Sequence, residues 1–147
     1  MQRVFKQSFI LSVTAAIALL FASCGESKVA QCNKIINVAN KASTLGQEFG
    51  KNPNPAKGSK ALTELAGKIE PFSQEMKALE IKDEKLQGFQ TRFLALYQDI
   101  TKELNSAAAS IDKKNLPAAK KSLASLQKSG QEENAIVKEI NTYCSGK

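Results

Sequence analysis

The sequence of 147 residues contains no histidine and no tryptophan, and it has only two tyrosines. Without histidine, imidazole acid–base chemistry and histidine-containing metal sites are excluded. The carboxylates are scattered or are spaced from lysines by one helical turn, as Glu64 is from Lys68, a pattern typical of exposed helix faces. We therefore expect a protein that is not an enzyme and that uses no cofactor and no metal.

Long apolar runs are also scarce, and the clearest one covers residues 9–21. This run is shorter than the roughly 20 apolar residues that cross a bilayer as a helix. Arg3 and Lys6 precede it, and the small residues Ala22 and Ser23 separate it from Cys24. A basic start, a short apolar run and small residues before a cleavage point are typical of an export signal.

Residues 20–24, Leu-Phe-Ala-Ser-Cys, give this signal a particular form. They resemble the lipobox of bacterial lipoproteins, where the signal peptide is cut before a cysteine that carries a diacylglycerol. The resemblance implies that residues 1–23 are removed, that Cys24 carries acyl chains such as palmitate, and that residues 24–27 form a short tether to a domain over residues 28–147. The protein is then membrane-anchored on an extracytoplasmic face, periplasmic or lumenal. The alternative is an ordinary signal peptide and a soluble product.

Four stretches of the remaining chain carry apolar residues at spacings of three and four, and none alternates as a strand does. The first covers about residues 27–49, and Asn54 with Pro55 is predicted to begin the second. Asp83 is a predicted N-cap of the third. The spacing therefore predicts an all-α, up-down-up-down antiparallel four-helix bundle. A three-helix core with a loosely attached first helix is the alternative.

Two of these stretches have irregular features. Pro71 lies inside the second, whose apolar stripe keeps its phase on both sides of it, so we predict one kinked helix. Pro117 suits the first turn of the fourth helix, whose predicted apolar stripe includes Leu116 and Leu123 and ends at Cys144. This stripe lapses over residues 130–134.

The two cysteines that remain beside Cys24 are Cys32 and Cys144. An exported protein folds in an oxidising compartment, and an antiparallel bundle brings the start of its first helix to the end of its fourth. We therefore predict a disulfide between them. A redox-active pair is the alternative, although the chain has no Cys-x-x-Cys motif.

Pairing these cysteines places Gly46 of the first helix opposite Gly130 of the fourth. We expect the two helices to pack closely at this level, because glycine has no side chain to separate them. The alternative is a gap that admits a small apolar ligand.

The net charge is +7 at neutral pH, which by itself identifies no partner. The predicted topology, however, gathers lysines at the end of the bundle that points away from the membrane. These candidate interaction residues are Lys51, Lys57, Lys60, Lys113, Lys114, Lys120 and Lys121. They suit an acidic protein or an anionic polymer, and ordinary solvated surface is the alternative. Nucleic acid is not expected, because of the location and because no aromatic residues interleave with these lysines.

Two short segments carry a further resemblance. Residues 29–34, Val-Ala-Gln-Cys-Asn-Lys, and residues 141–144, Asn-Thr-Tyr-Cys, are similar to segments of small uncharacterised lipoproteins of cyanobacteria. This resemblance implies no particular activity. The sequence therefore predicts a membrane-anchored, non-enzymatic accessory or protein-interaction module. The alternative is a carrier or sensor of a small apolar ligand held within the bundle.

Overall fold

The computed structural model describes residues 26–51 and 58–146. They form four helices, α1 (Lys28–Lys51), α2 (Ser59–Ala78), α3 (Glu84–Asp112) and α4 (Leu116–Cys144). No strand occurs in these two ranges. The predicted all-α antiparallel four-helix bundle is therefore confirmed.

Side-chain caps begin α3 and α4. The Asp83 carboxylate accepts a hydrogen bond from the Leu86 amide at 3.0 Å, which confirms the predicted cap. The Asn115 side chain accepts one from the Ala118 amide at 3.2 Å, and Pro117 lies in the first turn of α4 as predicted. The Asp83 cap fixes where the chain enters α3 after α2, and the Asn115 cap fixes where it enters α4 after α3.

The second helix runs unbroken through Pro71, so the prediction of one helix rather than two is confirmed. Within the described residues α2 begins at Ser59, after Gly58, whose φ of 51° suits glycine. The predicted start at Asn54 and Pro55 lies outside the described residues.

The third helix is the centre of the packing, since it has its most extensive contacts with α2 and α4. Phe93, Leu86 and Tyr97 of α3 are almost fully buried. The first helix contacts α2 and α4 less extensively, but its Ile35 and Val38 belong to the same core. The alternative of a loosely attached first helix is therefore wrong.

Part of the predicted stripe of α4 is not in the core. Leu116 is 64% exposed and Leu123 is 45% exposed, whereas Ile136 is fully buried. In a straight helix, side chains seven residues apart differ in direction by about 20° around the helix axis. Over the four heptads that precede Cys144, this difference reaches roughly 80°. This shift in direction carries Leu116 and Leu123 out of the core, while Ala119 between them stays buried.

Candidate functional site

A disulfide joins Cys32 of α1 to Cys144 of α4, with 6.3 Å between their Cα atoms. The predicted pairing is therefore confirmed. We call this end of the bundle, where α1 begins and α4 ends, the stapled end. Only 1% of the Cys32 surface is exposed, which limits thiol–disulfide exchange at its sulfur and favours a structural role over the redox alternative.

Tyr143 organises the stapled end. Its hydroxyl donates a hydrogen bond to the Asp83 carboxylate at 2.8 Å. The Nζ atoms of Lys28 and Lys85 lie 4.6 and 4.8 Å from the centre of its ring, within cation–π range. The Leu86 amide and then the Tyr143 hydroxyl lower the pKa of Asp83. These contacts tie α4 to the starts of α1 and α3.

Gln31 is the buried polar residue of the same end, and both polar atoms of its side-chain amide make hydrogen bonds. Its Oε1 atom accepts hydrogen bonds from the backbone amides of Lys82 and Asp83 at 2.7 and 3.1 Å. Its Nε2 atom donates to the Glu26 carbonyl at 3.0 Å. Segments 29–34 and 141–144 also meet at this end, through the disulfide between Cys32 and Cys144.

The opposite, distal end carries the predicted interaction lysines that the structure describes. Ser59 of α2 donates a hydrogen bond to Asp112 of α3, which places the start of one helix beside the end of the other. The described lysines of this set are all exposed, and they are Lys51, Lys60, Lys113, Lys114, Lys120 and Lys121. Lys57 lies outside the described residues, as does the predicted lipidation site, Cys24.

A groove opens between the stapled and distal ends, with a cavity volume of about 570 Å³. All four helices line it. Gly46 and Gly130 both lie in its wall, as the pairing of the cysteines predicts. A Cβ atom built on either glycine would meet nothing within 4 Å outside its own stretch of helix. The expectation of close packing is therefore wrong, and the two glycines leave a gap.

The groove has an apolar floor and a polar rim. Residues of α2 and α3 that are largely buried form the floor, and they are Leu62, Leu65, Ile69, Tyr97 and Leu104. Polar residues that are exposed line the same cavity, and they are Gln47, Gln127, Gln131 and Asn134. This arrangement of an apolar interior with a few polar groups is typical of small-molecule sites.

Two oxygens in the groove lack hydrogen-bond partners among the described residues, namely Tyr97 Oη and Glu133 Oε1. Burial raises the pKa of Glu133 to about 7. Burial, and then the negative charge of Glu133, raise the pKa of Tyr97. Buried polar atoms are normally paired, so this pair of oxygens marks the groove as the candidate functional site.

Neither residue was part of the sequence prediction, but the position of Glu133 in the sequence could have indicated its role. It is seven residues from both Leu126 and Ile140, so it is in phase with the apolar stripe of α4. A carboxylate at such a position, inside the lapse at 130–134, indicates a polar group facing the core. Tyr97 follows the core residue Leu96 and leaves no comparable signal.

Comparisons with known proteins identify the family of the chain. No curated protein and no solved structure matches the chain. Within residues 26–51 and 58–146, no helix combines the length and apolar character of a membrane span.

A family model described as "Uncharacterised lipoprotein PM1805" matches residues 25–143, which is most of the chain. Lipoproteins of this kind are anchored to a membrane through a lipid and face away from the cytoplasm. The chain belongs to this family of lipoproteins.

Proposed function

We propose that this lipoprotein is a non-enzymatic carrier or sensor that holds a small, mostly apolar ligand in the groove. The observation that carries the proposal is the cavity of about 570 Å³ at the level of Gly46 and Gly130. Its volume is within the range of about 300–1000 Å³ that small-molecule sites occupy. A filled core with a basic tip would instead have favoured the accessory module predicted first from the sequence.

Apolar burial supplies the affinity. The floor residues, such as Leu65 and Leu104, present apolar surface that a ligand would cover. Each 100 Å² of apolar surface removed from water contributes ~2.5 kcal/mol before the costs of association. The groove residues that ionise are one carboxyl and one phenol, Glu133 and Tyr97. That set supports binding better than a reaction that needs a paired acid and base.

The experiment is a titration with N-phenyl-1-naphthylamine, an apolar dye that fluoresces in apolar surroundings. Residues 26–147 include the helical core, its disulfide and the Glu26 contact with Gln31, so this lipid-free domain is used and no detergent competes. We expect saturable binding of one dye per monomer, and its loss in a variant that fills the groove. A monomeric domain that does not bind the dye would contradict the proposal.

The anchor is proposed to be Cys24, which the lipobox resemblance selects. We expect the intact mass of the mature protein to show acyl chains on an N-terminal Cys24. In the Cys24→Ser variant the chains should be absent and the mass should still include residues 1–23, because the resemblance implies that the signal peptide is cut only before a lipid-bearing cysteine. A native protein that starts at Gly25 without lipid would refute the assignment.

A second candidate function is docking through the distal lysines, supported by their exposure at adjoining helix ends. We expect the double variant Lys113→Glu, Lys114→Glu to leave a heparin column at lower salt than the wild type, because each exposed contact contributes about 0.2–1 kcal/mol. The matched control reverses Lys77 and Lys82, which are exposed near the stapled end. Equal elution of the three proteins would leave the distal lysines as solvated surface.

A further inference from the structure

The groove contains two oxygens that a ligand could satisfy, Glu133 Oε1 and Tyr97 Oη. Resting on the proposed function, we infer that the ligand is an amphipathic cation, with an apolar body and a terminal ammonium group that donates hydrogen bonds to both oxygens. An ammonium has three N–H donors and no acceptor, so it has enough donors for both oxygens, and both residues line the same groove. Tyr97 is only 1% exposed, so its hydroxyl has little access to bulk water.

The charges around the groove favour a cation over an anion. No lysine or arginine is among its lining residues in the described ranges, and Glu133 is the lining residue that carries a formal charge near neutral pH. A fatty acid would therefore place its carboxylate in an apolar groove beside a second carboxylate. A cation instead compensates a buried charge that the described protein leaves without an ionic partner in the groove.

The position of Glu133 also makes the affinity depend on pH. The lining residues of α1 and α2 do not titrate, and those of α3 and α4 contribute Tyr97 and Glu133. Burial raises the pKa of Glu133 to about 7, so its carboxylate form becomes dominant as pH rises through neutrality. An alkylamine stays protonated over this interval. Its affinity should therefore rise about tenfold between about pH 6 and pH 8, in proportion to the ionised fraction of Glu133.

The test measures displacement of the naphthylamine dye by three ligands with the same chain: octylamine, octanol and octanoate. At about pH 8 we expect octylamine to displace the dye at concentrations at least about tenfold lower than octanol, and octanoate to be the weakest. Lowering the pH to about 6 should remove most of the advantage of octylamine and change octanol little.

Three variants locate the effect. Glu133→Gln should lose both the preference for octylamine and its pH dependence, while octanol still displaces the dye. Tyr97→Phe should reduce the preference and keep the pH dependence. Glu132→Gln is the matched control, because the same change one residue away lies outside the lining of the groove and should change nothing. Circular dichroism checks that each variant is folded. If a variant does not fold, the pH dependence of octylamine binding to the wild type still tests the inference.

The outcomes separate the two proposals. Equal displacement by octylamine and octanol at both pH values would overturn the cation inference and leave the carrier proposal standing. The same pH dependence in Glu133→Gln as in the wild type would also overturn the inference. Absence of saturable dye binding would overturn both the carrier proposal and the cation inference. The same conclusion holds if the dye fails to bind because the domain self-associates and a second copy covers the groove.

Discussion

The Cys144→Ser variant is expected to lose about 3–5 kcal/mol of its free energy of unfolding under oxidising conditions. The disulfide closes a loop whose ends are separated by 112 residues, and the chain-entropy model assigns nearly 5 kcal/mol to a loop of this length. The bond also holds α1, which packs less extensively than α3, against α4. Denaturant titration of the domain, followed by circular dichroism, measures the difference.

Reduced wild-type protein is the control for this variant. With the thiols kept reduced, wild type and Cys144→Ser should unfold at nearly the same denaturant concentration, since neither then has the covalent link. A variant as stable as the oxidised wild type would show that the bond contributes little. Free thiols at both positions in non-reducing peptide mapping would show that it does not form.

Filling the groove from α4 is expected to abolish dye binding without unfolding the protein. In Gly130→Phe the new side chain enters space where a Cβ atom meets nothing within 4 Å beyond the local helix. Displacing ~100 Å² of ligand contact costs ~2.5 kcal/mol, roughly 60-fold in affinity. Replacing a glycine by phenylalanine in a helix interior favours folding by about a few tenths of a kcal/mol, so the melting temperature should not fall.

Gly88→Phe is the matched control, because Gly88 is also helical and unobstructed but does not line the groove. It should bind the dye as the wild type does. Dye binding that survives in Gly130→Phe would place the dye elsewhere and remove the support for a carrier. A marked loss of stability in the same variant would show that α1 and α4 approach closely at this level after all.

Local rules account for most of what the sequence predicted of the fold. Asp83 caps α3 because a short carboxylate before an apolar period satisfies an amide of the first helical turn. Cys32 and Cys144 pair because an antiparallel bundle brings together the ends that carry them. Leu116 is exposed because positions spaced by seven shift gradually around the axis of a straight helix. Counting in sevens from Cys144 neglects this shift.

The site was predictable in position but not in shape. Antiparallel pairing places Gly46 opposite Gly130, and both line the groove. Two facing glycines are compatible either with close helices or with a gap, and the distance between helices depends on side chains along their whole length. The lapse of apolar residues at 130–134 leaves α4 little apolar volume to fill this space, which the expectation of close packing did not take into account. The contribution of Tyr97 depended on the packing of α3 against α4.

The place of the disulfide also determines how the domain bears tension. If Cys24 is the anchor, as proposed, a pull on it enters the described fold at the start of α1, the helix that packs less extensively than α3. The bond at Cys32 transfers that load to Cys144, and so to α4, which packs extensively against α3. Tension between the anchor and the C-terminus therefore bypasses the chain between the two cysteines. The groove lies within that bypassed chain, so such a force does not stretch the helices that line it.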